Sequence, residues 1–487
     1  MKAVSFNFEI HQPFRLKRYR FFDIGNDHYY YDDFLNDDIV SRIAHQSYIP
    51  AAETLLRMVQ DTKGAFRFSI SLTGAAIEQF EQYVPEFIDL LKKLADTGKV
   101  EFLATPYAHS LASVYDPEDF QRQVNVQCER LKALFGVTPK VFRNTELIYS
   151  DEIAPQIAAM GFKGCLTEGA KHILGWKSPN YVYSACTAPK LKLLLKNDKL
   201  SDDIAFRFSD TNWDAFPLTA DKYMDWIAAT PAEEQIINVC LNLETFGTMQ
   251  PAGTGIFQFL EALPRMAHER GIEFWTPSEA VSKLKAVDSL NVPYPMSGAD
   301  EARDLSAWAG NQLQREALEK LYSAGDRVNL CSDRRIKQDF WYLQGSDHFY
   351  YMSSKHLADG SAHANFSPYE SPYQAFTNYM NVLADFLVRV DEQFPSGVGS
   401  EELNSLMQTI RNQEREIADL TRERDSMSKN LEQYNIEHKA PEAEAPKAAK
   451  KPAAKKAAPK AKAEKAPKEA AEKPAKKAAP KKLAKKA

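Results

Sequence analysis

The sequence predicts an α/β protein whose parallel strands are covered by helices, followed by an all-helical region, a coiled coil and a disordered tail. Three observations predict it. Strand-like apolar runs alternate with amphipathic helix patterns through the first ~280 residues. Past residue 290 the strand signals stop and helix patterns continue. Past residue 394 large apolar residues first repeat in heptads and then almost vanish.

The strand-like runs are "AVSFNFEI" (3–10), "AFRFSISL" (65–72), "KVEFLA" (99–104), "KVFRNT" (140–145), "GCLTE" (164–168), "AFRFSD" (205–210) and "IINVCLNL" (236–243). Helical patterns such as "YVPEFIDLLKKLAD" (83–96), "DFQRQVNVQCERLKALFG" (119–136) and "DEIAPQIAAMGF" (151–162) lie between them. This alternation argues for a parallel sheet covered by helices. Seven such units fit a barrel close to the TIM type. An open doubly wound sheet is the alternative, but no Gly-rich dinucleotide loop follows the first run.

Polar residues gather just past the strand ends. His11 and Gln12 follow the first run, His109 lies beyond the third, and Glu146 follows the fourth. Glu168 ends the fifth, Asp210 the sixth, and Asn242 with Glu244 the seventh. In a barrel of this kind the C-terminal face carries the site. The barrel is expected over residues 1–290.

Residues 291–394 are expected to form a helical domain that completes the site. "EARDLSAWAGNQLQREALEKLYSAGDRV" (301–328) reads as one long amphipathic helix and "YQAFTNYMNVLADFLVRVDEQF" (373–394) as another. Between them "FWYLQGSDHFYYMSSK" (340–355) is placed to lend side chains to the barrel mouth.

Over 400–436 the pattern changes again. Leu403, Leu406, Ile410, Gln413, Ile417, Leu420, Arg424, Met427, Leu431 and Tyr434 recur at alternating spacings of 3 and 4. This a/d pattern with two polar interruptions predicts a homo-oligomer through residues 403–434, with a helix folded back on its own body as the alternative. Residues 439–487 are almost wholly Ala, Lys, Pro and Glu, with Leu483 the one large aliphatic, so they are expected to be disordered.

The charge is divided. Residues 439–487 hold 17 Lys against 5 Glu, whereas the other 438 residues hold 44 Lys+Arg against 61 Asp+Glu. The acidic body is no nucleic-acid binder by charge; the tail is a candidate for salt-sensitive binding to a polyanion or nucleic acid. A hydrophobic share of 44% suits a globular chain, and no apolar run reaches the roughly 18 residues of a membrane span. The N-terminus shows no signal-peptide pattern, and Cys128, Cys165, Cys186, Cys240 and Cys331 form no C-x-x-C pair. Together these predict a cytoplasmic protein with buried core thiols and no membrane partner.

Five motifs point to chemistry: "HQPFRL" (11–16), "GKVEFLATPYAHSL" (98–111), "VFRNTELIYSDEIA" (141–154), "LNLETFGTMQPAGTGIFQFLEALP" (241–264) and "GSDHFYYMSSK" (345–355). In this order they resemble glycoside hydrolase family 57, in its α-amylase and α-amylase-like branch. The resemblance implies an incomplete (β/α)7 barrel that acts on or binds α-1,4-glucans with retention, without a cofactor and without a catalytic metal. It places the nucleophile on Glu146. It places the family's acid/base aspartate on Asn242, in "NLETFG", where an amide can neither give nor take a proton usefully. Loss of such a group costs roughly 10²–10⁴-fold. Three readings stay open: Glu244, two residues on along an extended strand, substitutes; turnover is slow or confined to good leaving groups; or the chain is a glucan-binding pseudoenzyme.

The resemblance further implies substrate contacts from His11, Gln12, His109, Asp347 and His348. Trp213, Trp275, Trp308, Trp341, Tyr350 and Tyr351 are candidates for stacking on sugar faces. The second motif departs from the branch pattern at Thr105 and Pro106. His11, His109 and His348 with Glu146 lack the Asp/His spacing of zinc-dependent deacetylases, so no metal is expected.

Overall fold

The structure is a computed structural model, and it describes residues 2–355 and 367–394 together with scattered helical positions between 409 and 427. The chain divides into two compact units, 1–407 and 408–487. In the second, the described positions are helical, and Ile417, Leu420 and Met427 are exposed. The rest of the expected coiled coil and the whole of the expected tail, 439–487, lie outside the described residues.

Eight strands organise the first unit: β1 (Lys2–Ile10), β2 (Phe68–Leu72), β3 (Val100–Leu103), β4 (Val141–Arg143), β5 (Gly164–Thr167), β6 (Tyr183–Ala185), β7 (Lys192–Leu195) and β8 (Ile237–Asn242). Parallel ladders join β1 to β2, β2 to β3, β4 to β5, β5 to β7 and β8 to β1. Single parallel bridges, Ala104 to Phe142 and Lys196 to Asn238, link β3 to β4 and β7 to β8. Seven strands thus follow one another around a ring, with β6 antiparallel on the outer part of β7.

β1 shows why the ring has a polar inside. Val4, Phe6, Phe8 and Ile10 join the main apolar core. Ser5, Asn7 and Glu9, on the other face, are buried as well. Such polar groups must be bonded within the protein. The Ser69 hydroxyl donates to Asn7 Oδ1 at 2.6 Å, and the Arg143 guanidinium donates to Glu9 Oε2 at 2.6 Å.

Two expected elements differ. The run 205–210 is not a strand. A helix, Asp198–Ala205, ends there, started by Asn197, whose side chain accepts the Leu200 N–H at 3.0 Å. Asp210 follows in an exposed turn, accepting from the Asn212 N–H. β7 fills the place in the ring. The expected long helix over 301–328 is broken into Ser306–Ala309, Gln312–Tyr322 and Gly325–Leu330, because Asn311 and Gln314 form a reciprocal cap that starts a new helix.

The helix Pro372–Asp391 ties the helical region to the chain start. Its buried Asp385 accepts from the Tyr30 hydroxyl at 2.6 Å, the Gly25 N–H at 2.7 Å and His28 at 2.9 Å. Of the five thiols, Cys165, Cys240 and Cys331 are buried and Cys128 half-buried, but Cys186 is exposed, against expectation. No helix among the described residues is long and apolar enough to cross a membrane.

Candidate active site

Glu146 stands in a tight turn, Thr145–Leu147, after β4. Asn144 holds that turn: its amide donates to Ser113 Oγ and to the Ile148 carbonyl, both at 2.9 Å. The Gly298 N–H donates to the Glu146 carbonyl at 2.7 Å. Glu146 and Leu147 have φ of 49° and 56°. Such backbone costs on the order of 1–3 kcal/mol per residue and persists where the surroundings impose it. Six non-glycine residues among those described have positive φ, and five of them (His109, Glu146, Leu147, Asp300 and Arg303) lie at this one site.

His109 brings two carboxylates together. Its Nε2 lies 3.7 Å from Glu9 Oε1 and 3.9 Å from Glu146 Oε1. Its ring packs edge-on against His11, with centroids 4.1 Å apart. His11 in turn bonds Thr73 Oγ1 at 2.8 Å and Asp347 Oδ2 at 2.9 Å. Asp347 is delivered by the helix Ser346–Tyr350, whose first N–H donates to the His109 carbonyl at 3.0 Å. The helix Ser346–Tyr350 therefore sits against His109 and His11. Ring nitrogens of His11 and His109 and an Asp347 oxygen lie within 4.8 Å of one another, close enough for a cation. Because Thr73 and Asp347 already engage both His11 nitrogens, we assign these atoms to hydrogen bonding.

Two cavities meet here. The larger, about 420 Å³, has the size of a small-ligand site. Its walls include Glu9, Glu146 and Asn242, with Leu147, Met249, Trp308 and Tyr350 supplying apolar surface. Four cations line it, each with a carboxylate. Arg143 pairs with Glu9, Arg207 with Asp203, and Lys196 and Arg303 with Glu168 and Asp202 at 3.4–3.6 Å. Burial would lower the Lys196 pKa, but the Glu168 and Asp202 carboxylates outweigh it and raise it above the usual lysine value. With Glu9, Glu146, Asp202, Asp300 and Glu301 also on the wall, the cavity holds no surplus of positive charge and suits a neutral, hydroxyl-rich ligand.

The smaller cavity, about 20 Å³, has room for one water. His11, Gln12, His109, Glu244, Asp347 and Tyr351 line it, with Glu9, Glu146 and Asn242 shared between the two cavities. Glu244 does not continue an extended strand. β8 ends at Asn242, and Leu243–Thr245 form a tight turn that carries Glu244 into this recess. There its carboxylate accepts from the Tyr48 hydroxyl and from Gln12 Nε2 at 3.5 Å. Burial, and then the Glu244 charge, push the Tyr48 pKa well above the usual value, so it stays a donor.

Other expected contacts fall elsewhere. His348 lines neither cavity: it packs on Tyr379, and its Nε2 bonds the Tyr342 carbonyl at 3.1 Å. Burial pushes its pKa down to about 4, so it is neutral near pH 7. Trp275 also lines neither cavity. The short strand before it, Ile272–Phe274, pairs with the first residues of β1, far from the Glu9 end. Trp275 instead bonds Glu273 and lies under Lys283. Trp213 packs on Trp226, and Trp341 packs on Tyr107 and donates to Asp119. Of the aromatic candidates, Trp308, Tyr350 and Tyr351 reach the cavities.

Glu9 is a site residue outside every motif, and its partner Arg143 lies within one, 141–154, without having been singled out. The signal for Glu9 was present in "AVSFNFEI", where Ser5, Asn7 and Glu9 alternate with large apolar residues in a strand too apolar to be at the surface.

Residues 5–293 match the glycosyl hydrolase family 57 profile. A Methanocaldococcus jannaschii protein described as "Putative alpha-amylase" is 40% identical over 403 residues, 80% of this chain and 85% of that one. Among solved structures, the 4-alpha-glucanotransferase of Thermococcus litoralis is similar at TM-score 0.53 and 16% identity, over 72% of this chain. The match spans only 56% of that longer protein. The family 57 branching enzyme of Thermococcus kodakaraensis is similar at TM-score 0.55 and 13% identity, over 72% of this chain and 86% of that one. At these identities the structural likeness speaks for the fold. The family profile and the 40% relative together establish that the chain belongs to glycosyl hydrolase family 57.

Proposed function

We propose that this chain processes α-1,4-glucans such as starch, glycogen or maltodextrin, as a retaining hydrolase or glucanotransferase with Glu146 as nucleophile. The ring of seven strands is read as the incomplete (β/α)7 barrel, and residues 291–394 as the helical domain that completes its mouth. One observation carries the reading: Glu146 is held on a strained turn at the wall of a 420 Å³ cavity that bears no excess positive charge. A carboxylate fixed there can attack an anomeric carbon and form a glycosyl ester, the first half of retention. Trp308 and Tyr350 offer faces for the sugar rings. Asp347, on the wall of the smaller cavity, offers a carboxylate to their hydroxyls.

Asn242 favours a second reading, a protein that binds glucan without cleaving it, since an amide at the cavity wall cannot protonate a leaving oxygen. The two are separated by incubating the protein with maltopentaose and following products by proton NMR. The first reading expects α-anomers to appear first. Initial β-anomers would contradict retention, and saturable binding without any product would favour the second reading.

A further inference from the structure

The site holds a carboxylate beside the amide. β1 and β8 run parallel, and their register pairs Glu9 with Asn242 directly. Side chains of such partners leave the sheet on the same face from backbones about 4.8 Å apart. Glu9 therefore stands next to the position where an acid is missing, on the same cavity wall, and lines both cavities as Asn242 does. It is also close to the nucleophile. Glu9 Oε1 and Glu146 Oε1 both lie within 3.9 Å of a single atom, His109 Nε2. That proximity is compatible with the roughly 5–5.5 Å between carboxyl groups in retaining enzymes. Glu244, the nearer candidate in sequence, is held by Tyr48 and Gln12 in a recess the size of one water.

We propose that Glu9 is the acid/base of this site, its role moved one strand over from the end of β8 to the end of β1. This rests on the reading of Glu146 as nucleophile. Arg143 donates to Oε2 and so directs the proton to Oε1, the oxygen on the His109 side. In the first step Glu146 adds to C1 while the C1–O bond breaks, and the departing glucan oxygen takes the Glu9 proton. In the second, water adds to C1 of the ester, gives its proton to the Glu9 carboxylate and releases the Glu146 carboxylate.

Two substrates test this in the full-length chain. Maltopentaose has a leaving group that needs a proton; α-maltosyl fluoride has one that does not. Expected are turnover of both by the wild type, in Glu9→Gln a fall of about 10²–10⁴-fold on maltopentaose and a smaller fall on the fluoride, whose ester still needs the base for hydrolysis, and recovery on maltopentaose in Glu9→Gln/Asn242→Asp. Azide should accelerate fluoride consumption by Glu9→Gln and yield maltosyl azide. Recovery by the double variant also reports that Glu9→Gln folds. A wild type active on the fluoride and silent on maltopentaose overturns the proposal while leaving Glu146 as nucleophile. Equal loss on both substrates without recovery overturns it too, by making Glu9 structural. A wild type silent on the fluoride removes the nucleophile reading itself.

Discussion

The ends of β4 and β8 lie on the same mouth and treat their acidic residues in opposite ways. Past β4, the turn Thr145–Leu147 takes a positive-φ backbone and presents Glu146 to the large cavity. Past β8, the turn Leu243–Thr245 keeps ordinary backbone, leaves an amide at the cavity wall and carries Glu244 into a water-sized recess under Tyr48. The difference teaches that a carboxylate a few residues past a strand end is not thereby in the site. The turn decides what it faces. A strained turn marks the residue whose position is imposed, and a carboxylate tied to Tyr48 and Gln12 marks one that holds the wall.

The largest expected effect is at β4. Glu146→Gln should lower maltopentaose turnover on the order of 10⁴-fold or more, as loss of a covalent nucleophile does, with binding of maltopentaose retained by calorimetry. Turnover close to wild type would remove the distinction between the two strand ends. Next is the pair between them. Arg143→Met leaves Glu9 buried beside an apolar side chain and should destabilise the fold by about 3–5 kcal/mol in urea unfolding. A change under 1 kcal/mol would show that Glu9 is not held as described.

His348, which lines neither cavity, supplies a pH-dependent test. Its folded pKa of about 4 lies below the ordinary 6.5, so the unfolded chain binds a proton first as pH falls. Stability should decline from pH 6.5 towards pH 4, by up to about 3 kcal/mol from this group. His348→Gln should flatten that part of the profile, and an unchanged slope would contradict the assignment. At β8, Glu244→Gln should cost about 1–3 kcal/mol of stability through the weakened bond to the buried Tyr48 hydroxyl, and change turnover less than 10-fold. A turnover loss matching that of Glu146→Gln would make the two ends alike after all. Smallest for the site is the second unit: Ile417→Lys/Leu420→Lys should lower the sedimenting mass if the exposed heptad face mediates self-association, and leave maltopentaose turnover unchanged.

Much of the arrangement was legible because it rests on local rules. The strand runs, the position of Glu146 and the gathering of His11, Gln12 and His109 follow from strand ends meeting at one mouth. Asp347 was legible through its motif. What escaped depended on pairing and on turn geometry. "AFRFSD" alternates like a strand, but Asn197 starts a helix ahead of it that runs to Ala205. Trp275 follows a strand whose partner is the wrong end of β1. Glu244 looked extended because spacing cannot show that β8 stops at Asn242. Glu9 escaped because only the parallel register with β8 brings it beside residue 242.

The most direct measurement is covalent trapping. A 5-fluoro-α-maltosyl fluoride forms a glycosyl ester that breaks down slowly, so the nucleophile stays labelled for peptide mass spectrometry. The account predicts one maltosyl adduct per chain, on Glu146 within the peptide spanning 141–154, and absent in Glu146→Gln. An adduct on Glu9 or Glu244, or a label unaffected by Glu146→Gln, would contradict it.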